Sequence, residues 1–115
     1  MAQRKVIFHE EHFSRFLQAQ SEAVRRKILQ VIVWIETIDR LPVSIMKSIE
    51  SVKGLYEIRI TFASNIYRIF CCFDQGNLVV LFNAFQKKTQ KTPQSEIEKA
   101  ARLMTEYFKA KDLPQ

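Results

Sequence analysis

The fold is decided by residues 55–85, which read LYEIRITFASNIYRIFCCFDQGNLVVLFNAF. Apolar and polar residues alternate over Leu55–Phe62 and again over Ile66–Phe73, which predicts two strands that each bury one face. The segment Asp74-Gln75-Gly76-Asn77 is typical of a turn. Leu78–Phe85 is apolar on both faces, as expected of an interior strand. The stretch therefore predicts three consecutive antiparallel strands.

Helical periodicity is found on both sides of these strands. Before them, apolar spacing predicts a short helix around Glu10–Gln18 and a longer helix that begins after Ser21, a favourable N-cap residue. After them, Thr92-Pro93 is typical of an N-cap and a first helical position, and an amphipathic helix should run to about Lys109. The segment Lys5–His9 is predicted to be a short strand at the start of the domain.

The connection between the second helix and the first hairpin begins at Leu41-Pro42, which should end that helix. Within it, Ser44–Ile49 are expected to form a helical turn. The predicted class is α+β, as a single domain over residues 1–115. An N-terminal strand and two helices should pack on an antiparallel sheet, with a C-terminal helix. We expect the helices to cover one face of this sheet and to leave the other open.

Composition narrows the possible classes of protein. No apolar run approaches the roughly 20 residues needed to cross a bilayer, and no signal-peptide core follows Met1, so we expect a cytoplasmic protein without a membrane partner.

Cys71 and Cys72 are adjacent in a strand and should point to opposite faces as free thiols. His9 and His12 have no cysteine or carboxylate at a known ligand spacing, so we expect no metal and no cofactor.

The chain has a formal net charge of +6 over 115 residues. Such a charge on so small a domain favours a polyanionic partner, for example nucleic acid, an anionic membrane surface or an acidic protein. The alternative is a solvated basic surface without a ligand. The positions of the charges on the predicted sheet distinguish between the two.

Two arginines share one face of the predicted hairpin. If both apolar sets face the core, Arg59 and Arg68 lie on the outer face, directly opposite each other across a two-residue loop at Ala63-Ser64, or diagonally across a four-residue loop. Like charges opposite each other cost up to about 1 kcal/mol, so this placement favours an anion site. Arg68 should face solvent, and its removal should leave the fold intact. The next hairpin should place Asn83 beside Arg68, with Phe85 further along.

Lysines extend this basic face. Lys87 and Lys88 follow the last predicted strand, and the alternative for the run over residues 87–91 alone is a solvated loop. Arginine binds phosphate bidentately, lysine supplies a mobile charge, and an exposed ring can stack on an unpaired base. Beside the arginines and these two lysines, we therefore predict RNA contacts from Lys53, Glu57, Asn83, Phe85 and Lys91.

The sequence contains no nucleophilic triad, no phosphate-binding glycine loop and no pair of acid/base carboxylates. Glu57 is the one carboxylate on the predicted basic face. It has two possible roles: a general base, or a salt-bridge partner that holds Arg59 or Arg68 in place.

Three ordered blocks carry a family resemblance: Gly54-Leu55-Tyr56-Glu57-Ile58-Arg59, Tyr67-Arg68-Ile69-Phe70, and Phe85-Gln86-Lys87-Lys88-Thr89-Gln90-Lys91-Thr92-Pro93, followed by Glu96-Ile97 and Ala100. The chain resembles the phage-related HigB-like branch of the RelE/ParE toxins, most strongly over residues 54–101. The resemblance implies a RelE-like fold and the toxin of a type II toxin–antitoxin system. It implies a metal-independent endoribonuclease that cleaves mRNA on the translating ribosome, at the 16S rRNA decoding site. The implied partner is a helix-turn-helix antitoxin.

The resemblance also implies roles for four residues. Arg68 matches the arginine that holds the scissile phosphate, and Arg59 occupies a strand position where relatives have a basic catalytic residue. Lys87 and Lys88 match basic residues that stabilise the transition-state charge. Glu57 stands where RelE has a lysine, so the general base is left open.

Two other functions are compatible with the sequence. A ParE-like toxin shares the fold but binds DNA gyrase, and a non-catalytic module would bind RNA without cutting it. The Lys87-Lys88-Thr89 block favours the endoribonuclease.

Overall fold

The computed structural model describes residues 3–88 and 91–112. Over these ranges the chain forms β1 (Lys5–Phe8), α1 (His12–Gln18), α2 (Glu22–Thr37), β2 (Met46–Ser48), β3 (Leu55–Phe62), β4 (Asn65–Asp74), β5 (Leu78–Lys87) and α3 (Gln94–Asp112). The predicted α+β class is confirmed, and the fold is compatible with that of RelE. None of these helices has the length and apolar composition required to cross a membrane.

Within the described ranges the strands form one sheet, in the order β1-β5-β4-β3-β2. β3, β4 and β5 pair antiparallel as predicted. β1, for which no orientation was predicted, pairs parallel with β5, so the sheet as a whole is mixed. Parallel neighbours require a long crossover, and the chain between β1 and β5 is long enough to provide one.

The connection before β3 contains a strand instead of the helical turn predicted for Ser44–Ile49. Met46–Ser48 pairs antiparallel with Tyr56–Ile58. The pairing is extended by the amide of Arg59, which donates to the carbonyl of Ile45 at 2.8 Å. This pairing satisfies backbone groups along the edge of β3 that a helical turn would leave to water. β2 therefore widens the sheet next to the two predicted arginines.

Side-chain alternation along the strands divides the core into two layers, one on each face of the sheet. α1 and α2 cover the first face, where the fully buried side chains include Phe13, Ile28, Ile35, Ile58, Ile69, Cys71 and Leu81. α3 covers part of the second face with Ala100 and Leu103. The sheet residues of this layer are Leu55, Phe70, Cys72, Val80 and Phe82. The expectation that all helices lie on one face is therefore wrong. The predicted separation of the two cysteines onto opposite faces is confirmed.

Polar contacts fix both ends of α3 to the sheet. Near its start, the buried amide of Asn83 donates to the backbone oxygen of Glu96 at 3.1 Å and to its carboxylate at 3.0 Å. Near its end, the carboxylate of Asp74 accepts hydrogen bonds from the hydroxyl of Tyr107, at 2.7 Å, and from the ammonium of Lys111. These contacts therefore fix which part of the second face α3 covers.

Candidate nucleic-acid interface

The β3–β4 hairpin places the two arginines as its sequence predicts. Ala63 and Ser64 have φ values of 51° and 68°, which is the geometry of a two-residue hairpin loop with both central residues in the left-handed region. This loop sets the register, and Arg59 and Arg68 are directly opposite each other. Both lie on the second face, on the side where β2 completes the sheet.

The two arginines differ sharply in their surroundings. Arg59 is exposed, whereas Arg68 is only 6% exposed and Glu57 only 2%. A guanidinium nitrogen of Arg68 donates to a carboxylate oxygen of Glu57. The expectation that Arg68 faces solvent is therefore wrong, because the ion pair is enclosed by the strands beside it and the edge of β2. Of the two roles considered for Glu57, the salt bridge to Arg68 is the one found.

Arg68 and Arg59 open into a small cavity on the second face. Its volume is about 200 Å³, and it is lined by Val43, Ser44, Lys47, Arg59 and Arg68. Lys47 is exposed and lies on β2, directly opposite Glu57 on β3. The Nε atom of Arg68 is buried and has no hydrogen-bond partner within the described chain. A buried donor without a partner is costly, so this nitrogen is suited to an acceptor that enters the cavity.

Lys87 brings a further positive charge to the same area. Burial lowers the pKa of its ammonium below the ordinary value. The positive charges of Arg68, Lys47 and Arg59 lower it further. The carboxylate of Glu57 acts in the opposite direction. A bound anion would relieve this repulsion.

A β-bulge changes the predicted order of residues along β5. Ile69 pairs with Ala84 but Cys71 pairs with Leu81, so two residues of β5 stand against one of β4. As a result Phe85, rather than Asn83, lies opposite Arg68. The expectation that Asn83 lies beside Arg68 is wrong.

The two residues displaced by the bulge have different surroundings. The ring of Phe85 is half-buried and stacked on Phe70, with centroids 5.8 Å apart. Asn83 is 2% exposed and bound to α3. Phe85 thus stays partly exposed opposite Arg68, whereas the amide of Asn83 positions α3.

Three other predicted lysines are exposed. Lys88 follows β5 and is exposed, as is Lys91 before α3, and Lys53 is exposed in the turn before β3. Thr89 and Gln90, which belong to the predicted lysine run, lie outside the described residues. The cavity and Lys87 form what we call the basic site. Lys53 and Lys91 stay predicted RNA contacts, and Lys88 stays a predicted catalytic residue.

Lys47 and Ser44 were not predicted as site residues. The apolar-apolar-polar-polar pattern over residues 45–48 is compatible with a helical turn, and a three-residue strand is too short to show its own period. Only an indirect signal could have identified Lys47 as a site residue. β3 needs a pairing partner on its free edge, and Lys47 is the basic residue of the segment that precedes β3.

The fold and the basic site together define a class of protein. It is an α+β domain whose sheet carries a cationic cavity at the edge formed by β2 and β3. One guanidinium is buried and oriented by a carboxylate, while exposed cations surround it. The cavity is smaller than the roughly 300–1,000 Å³ of a small-molecule pocket, so it suits one oxyanion group of a larger ligand. Fixed donors of this kind hold a phosphate and stabilise charge that develops on it.

Comparison with protein families identifies the chain more closely. The sequence matches the model of the phage-derived Gp49-like proteins (DUF891) over residues 15–105, and the chain belongs to this family. The family is associated with RelE-like toxins. Among curated proteins, none matches the sequence. The family match spans every residue of the basic site, so the site lies within the part of the chain that defines the family.

Proposed function

We propose that the chain is the toxin of a type II toxin–antitoxin system and cleaves mRNA on the translating ribosome, as a HigB-like member of the RelE/ParE toxins. The observation that carries the proposal is the buried guanidinium of Arg68, which is held by Glu57 and has a free Nε beside the cavity. A charge-driven reaction at phosphate needs donors fixed in this way.

The proposed reaction needs no external reactant. The ribose 2′-oxygen attacks the adjacent phosphorus, the bond from phosphorus to the 5′-oxygen breaks, and a 2′,3′-cyclic phosphate and a 5′-hydroxyl result. The 2′-hydroxyl loses a proton and the leaving 5′-oxygen gains one. Arg68 and Arg59 hold the phosphate oxygens, and the negative charge that grows on them is stabilised by Lys87 and Lys88. A base can stack on Phe85 at the border of the site.

The surroundings of Glu57 argue against its use as the general base. Its carboxylate is buried and bound to Arg68, so it has no path to a ribose hydroxyl. We assign it the role of positioning Arg68. Lys87 is better suited to exchange a proton, because its lowered pKa is closer to neutrality than that of an ordinary lysine.

The direct test adds purified protein to translating ribosomes and maps new RNA 5′ ends. We expect 5′-hydroxyl ends within translated codons, and none when the same RNA is untranslated. RNA bound but left intact would favour a non-catalytic module. Inhibition of DNA gyrase without RNA cleavage would favour the ParE-like alternative. Either result would overturn the endoribonuclease proposal.

An antitoxin is the partner that this function requires. We propose a helix-turn-helix protein encoded next to the toxin, with acidic residues that accelerate its capture of this basic chain, or with bulk that keeps the complex out of the ribosome. Expression of the chain alone should arrest growth, and co-expression with the neighbour should restore it and yield a stable complex. Harmless expression at high level, without a neighbour that binds, would contradict the toxin proposal.

A further inference from the structure

The turn after β1 brings a set of metal-binding side chains against α3. His9 and Glu10 follow β1, and Glu106 projects from α3. One ligand atom from each of these three residues lies within 4.8 Å of the other two. Sequence spacing did not reveal the group, since the third member comes from the far end of the chain. His9 therefore does not stand alone, contrary to the expectation from sequence.

The ring of His9 is held in one orientation. It packs edge-on against Phe82 and Tyr107, with centroid distances of 5.8 Å and 5.6 Å. Its Nε2 atom is shielded from solvent and has no hydrogen-bond partner in the described part of the chain. A carboxylate oxygen of Glu10 lies 3.8 Å from it. A fixed imidazole nitrogen thus faces carboxylates that are too distant to bond to it directly.

The carboxylate of Glu10 is shared between two histidines. Its other oxygen lies 3.1 Å from Nε2 of His12. In protein metal sites, a hydrogen bond of this type orients the carboxylate ligand from outside the coordination sphere. Glu10 is 53% exposed and Glu106 about half exposed, so both can move inward at little cost. Glu106 also forms a loose surface pair with Arg102, at 3.7 Å, which contributes little.

We infer that His9, Glu10 and Glu106 bind a divalent transition-metal cation such as Zn²⁺, which links the turn after β1 to α3. One imidazole and two carboxylates provide nitrogen and oxygen donors that suit Zn²⁺, with water as a fourth ligand. Bond lengths of about 2.0–2.2 Å require the three donors to draw together around the ion. The cation would also neutralise the two carboxylates. Because the cluster lies at the β1 edge and the basic site at the β2–β3 edge, this site is independent of RNA cleavage.

Metal-free full-length protein, titrated with Zn²⁺ and separately with Co²⁺, tests the inference. One equivalent of Zn²⁺ should raise the melting temperature, and Co²⁺ should give visible absorption bands of nitrogen and oxygen ligation. Glu106→Gln should keep the metal-free melting temperature and weaken Zn²⁺ affinity at least tenfold. The matched control, Glu98→Gln, removes an exposed carboxylate from the same helix and should bind like the wild type.

Two results would overturn the proposal of a metal site. The first is no binding near stoichiometric Zn²⁺, and the second is equal binding by wild type and Glu106→Gln, which would place the ion elsewhere. A Glu10→Gln variant provides an independent check, since its side chain is also exposed and its loss should weaken binding to a similar extent. Thiolate bands in the Co²⁺ spectrum would point to Cys71 or Cys72 and count against the inference.

Discussion

Arg59 and Arg68 face each other across one hairpin, yet their removal should have different consequences. Arg59 is exposed and lines the cavity, so its loss removes a proposed phosphate contact and should not disturb the core. Arg68 neutralises a buried carboxylate, so its loss affects both the site and the fold. The parity of β3 and β4 predicted that the two arginines share a face. Parity did not reveal that Arg68 is buried in an ion pair with Glu57 while Arg59 stays exposed.

Arg59→Ala should lower the rate of RNA cleavage by about a hundredfold or more, since it removes one oriented donor from the transition state. The melting temperature should stay that of the wild type. The matched control is Arg26→Ala, which removes an exposed arginine of α2 and should cut RNA normally. Full cleavage by folded Arg59→Ala would remove this residue from the proposed site.

Arg68→Ala should lower the free energy of unfolding by about 3–5 kcal/mol, because the carboxylate of Glu57 is left buried without its partner. Denaturant unfolding measures this cost. The double variant Glu57→Leu with Arg68→Met should recover most of the stability, since it replaces both charges by apolar groups, and should still fail to cleave RNA. Wild-type stability of the single variant would contradict the buried ion pair.

At the scale of the elements, the sequence predicted the strands of residues 55–85 and the start of α2 closely. The alternation is long in β3 and β4, and Ser21 caps α2 as expected, accepting from the amide of Val24 at 3.3 Å. It did not predict β2, the bulge in β5 or the face that α3 covers. These features depend on pairing and packing between distant segments, which a local period does not encode.

Ile35→Ala in α2 tests the predicted inner face of that helix. Ile35 is fully buried against the first face of the sheet, so truncation should cost about 2–5 kcal/mol of unfolding free energy. Val33 is 52% exposed on the same helix, and Val33→Ala is the control, with an expected change within about 0.5 kcal/mol. Equal melting curves for the two variants would contradict the assignment of Ile35 to the buried face of α2.

Asp74→Asn tests the attachment of α3. Hydrogen bonds from Lys111 and Tyr107 hold the pKa of Asp74 below its ordinary value, so the ionised form stabilises the folded state. This contribution is present at neutral pH and is lost as the pH falls below about 4 through the lowered pKa. The variant should be less stable than the wild type at pH 7, because a neutral amide cannot replace the charged partner of Lys111. The difference from wild type should shrink on acidification, and a constant difference would rule out this ion pair.

At the scale of the whole molecule, the net charge of +6 should make RNA binding depend on salt. Lys87→Ala with Lys88→Ala should reduce the slope of log affinity against log salt by about 1.4, if each lysine contacts one phosphate of single-stranded RNA. Lys5→Ala with Lys109→Ala removes the same charge from remote exposed positions and should change the slope less. Equal slopes for the two double variants would mean that only total charge matters.

The pairing of β1 with β5 affects when the sheet can form during synthesis of the chain. Lys5–Phe8 is synthesised well before Leu78–Leu81, the strand segment with which it pairs. The same strand, β5, also carries Phe85 and Lys87 to the basic site. While the nascent chain is still inside the ribosomal exit tunnel, neither the closing edge of the sheet nor the complete site can form. The complete sheet and the basic site therefore form only after β5 has left the tunnel.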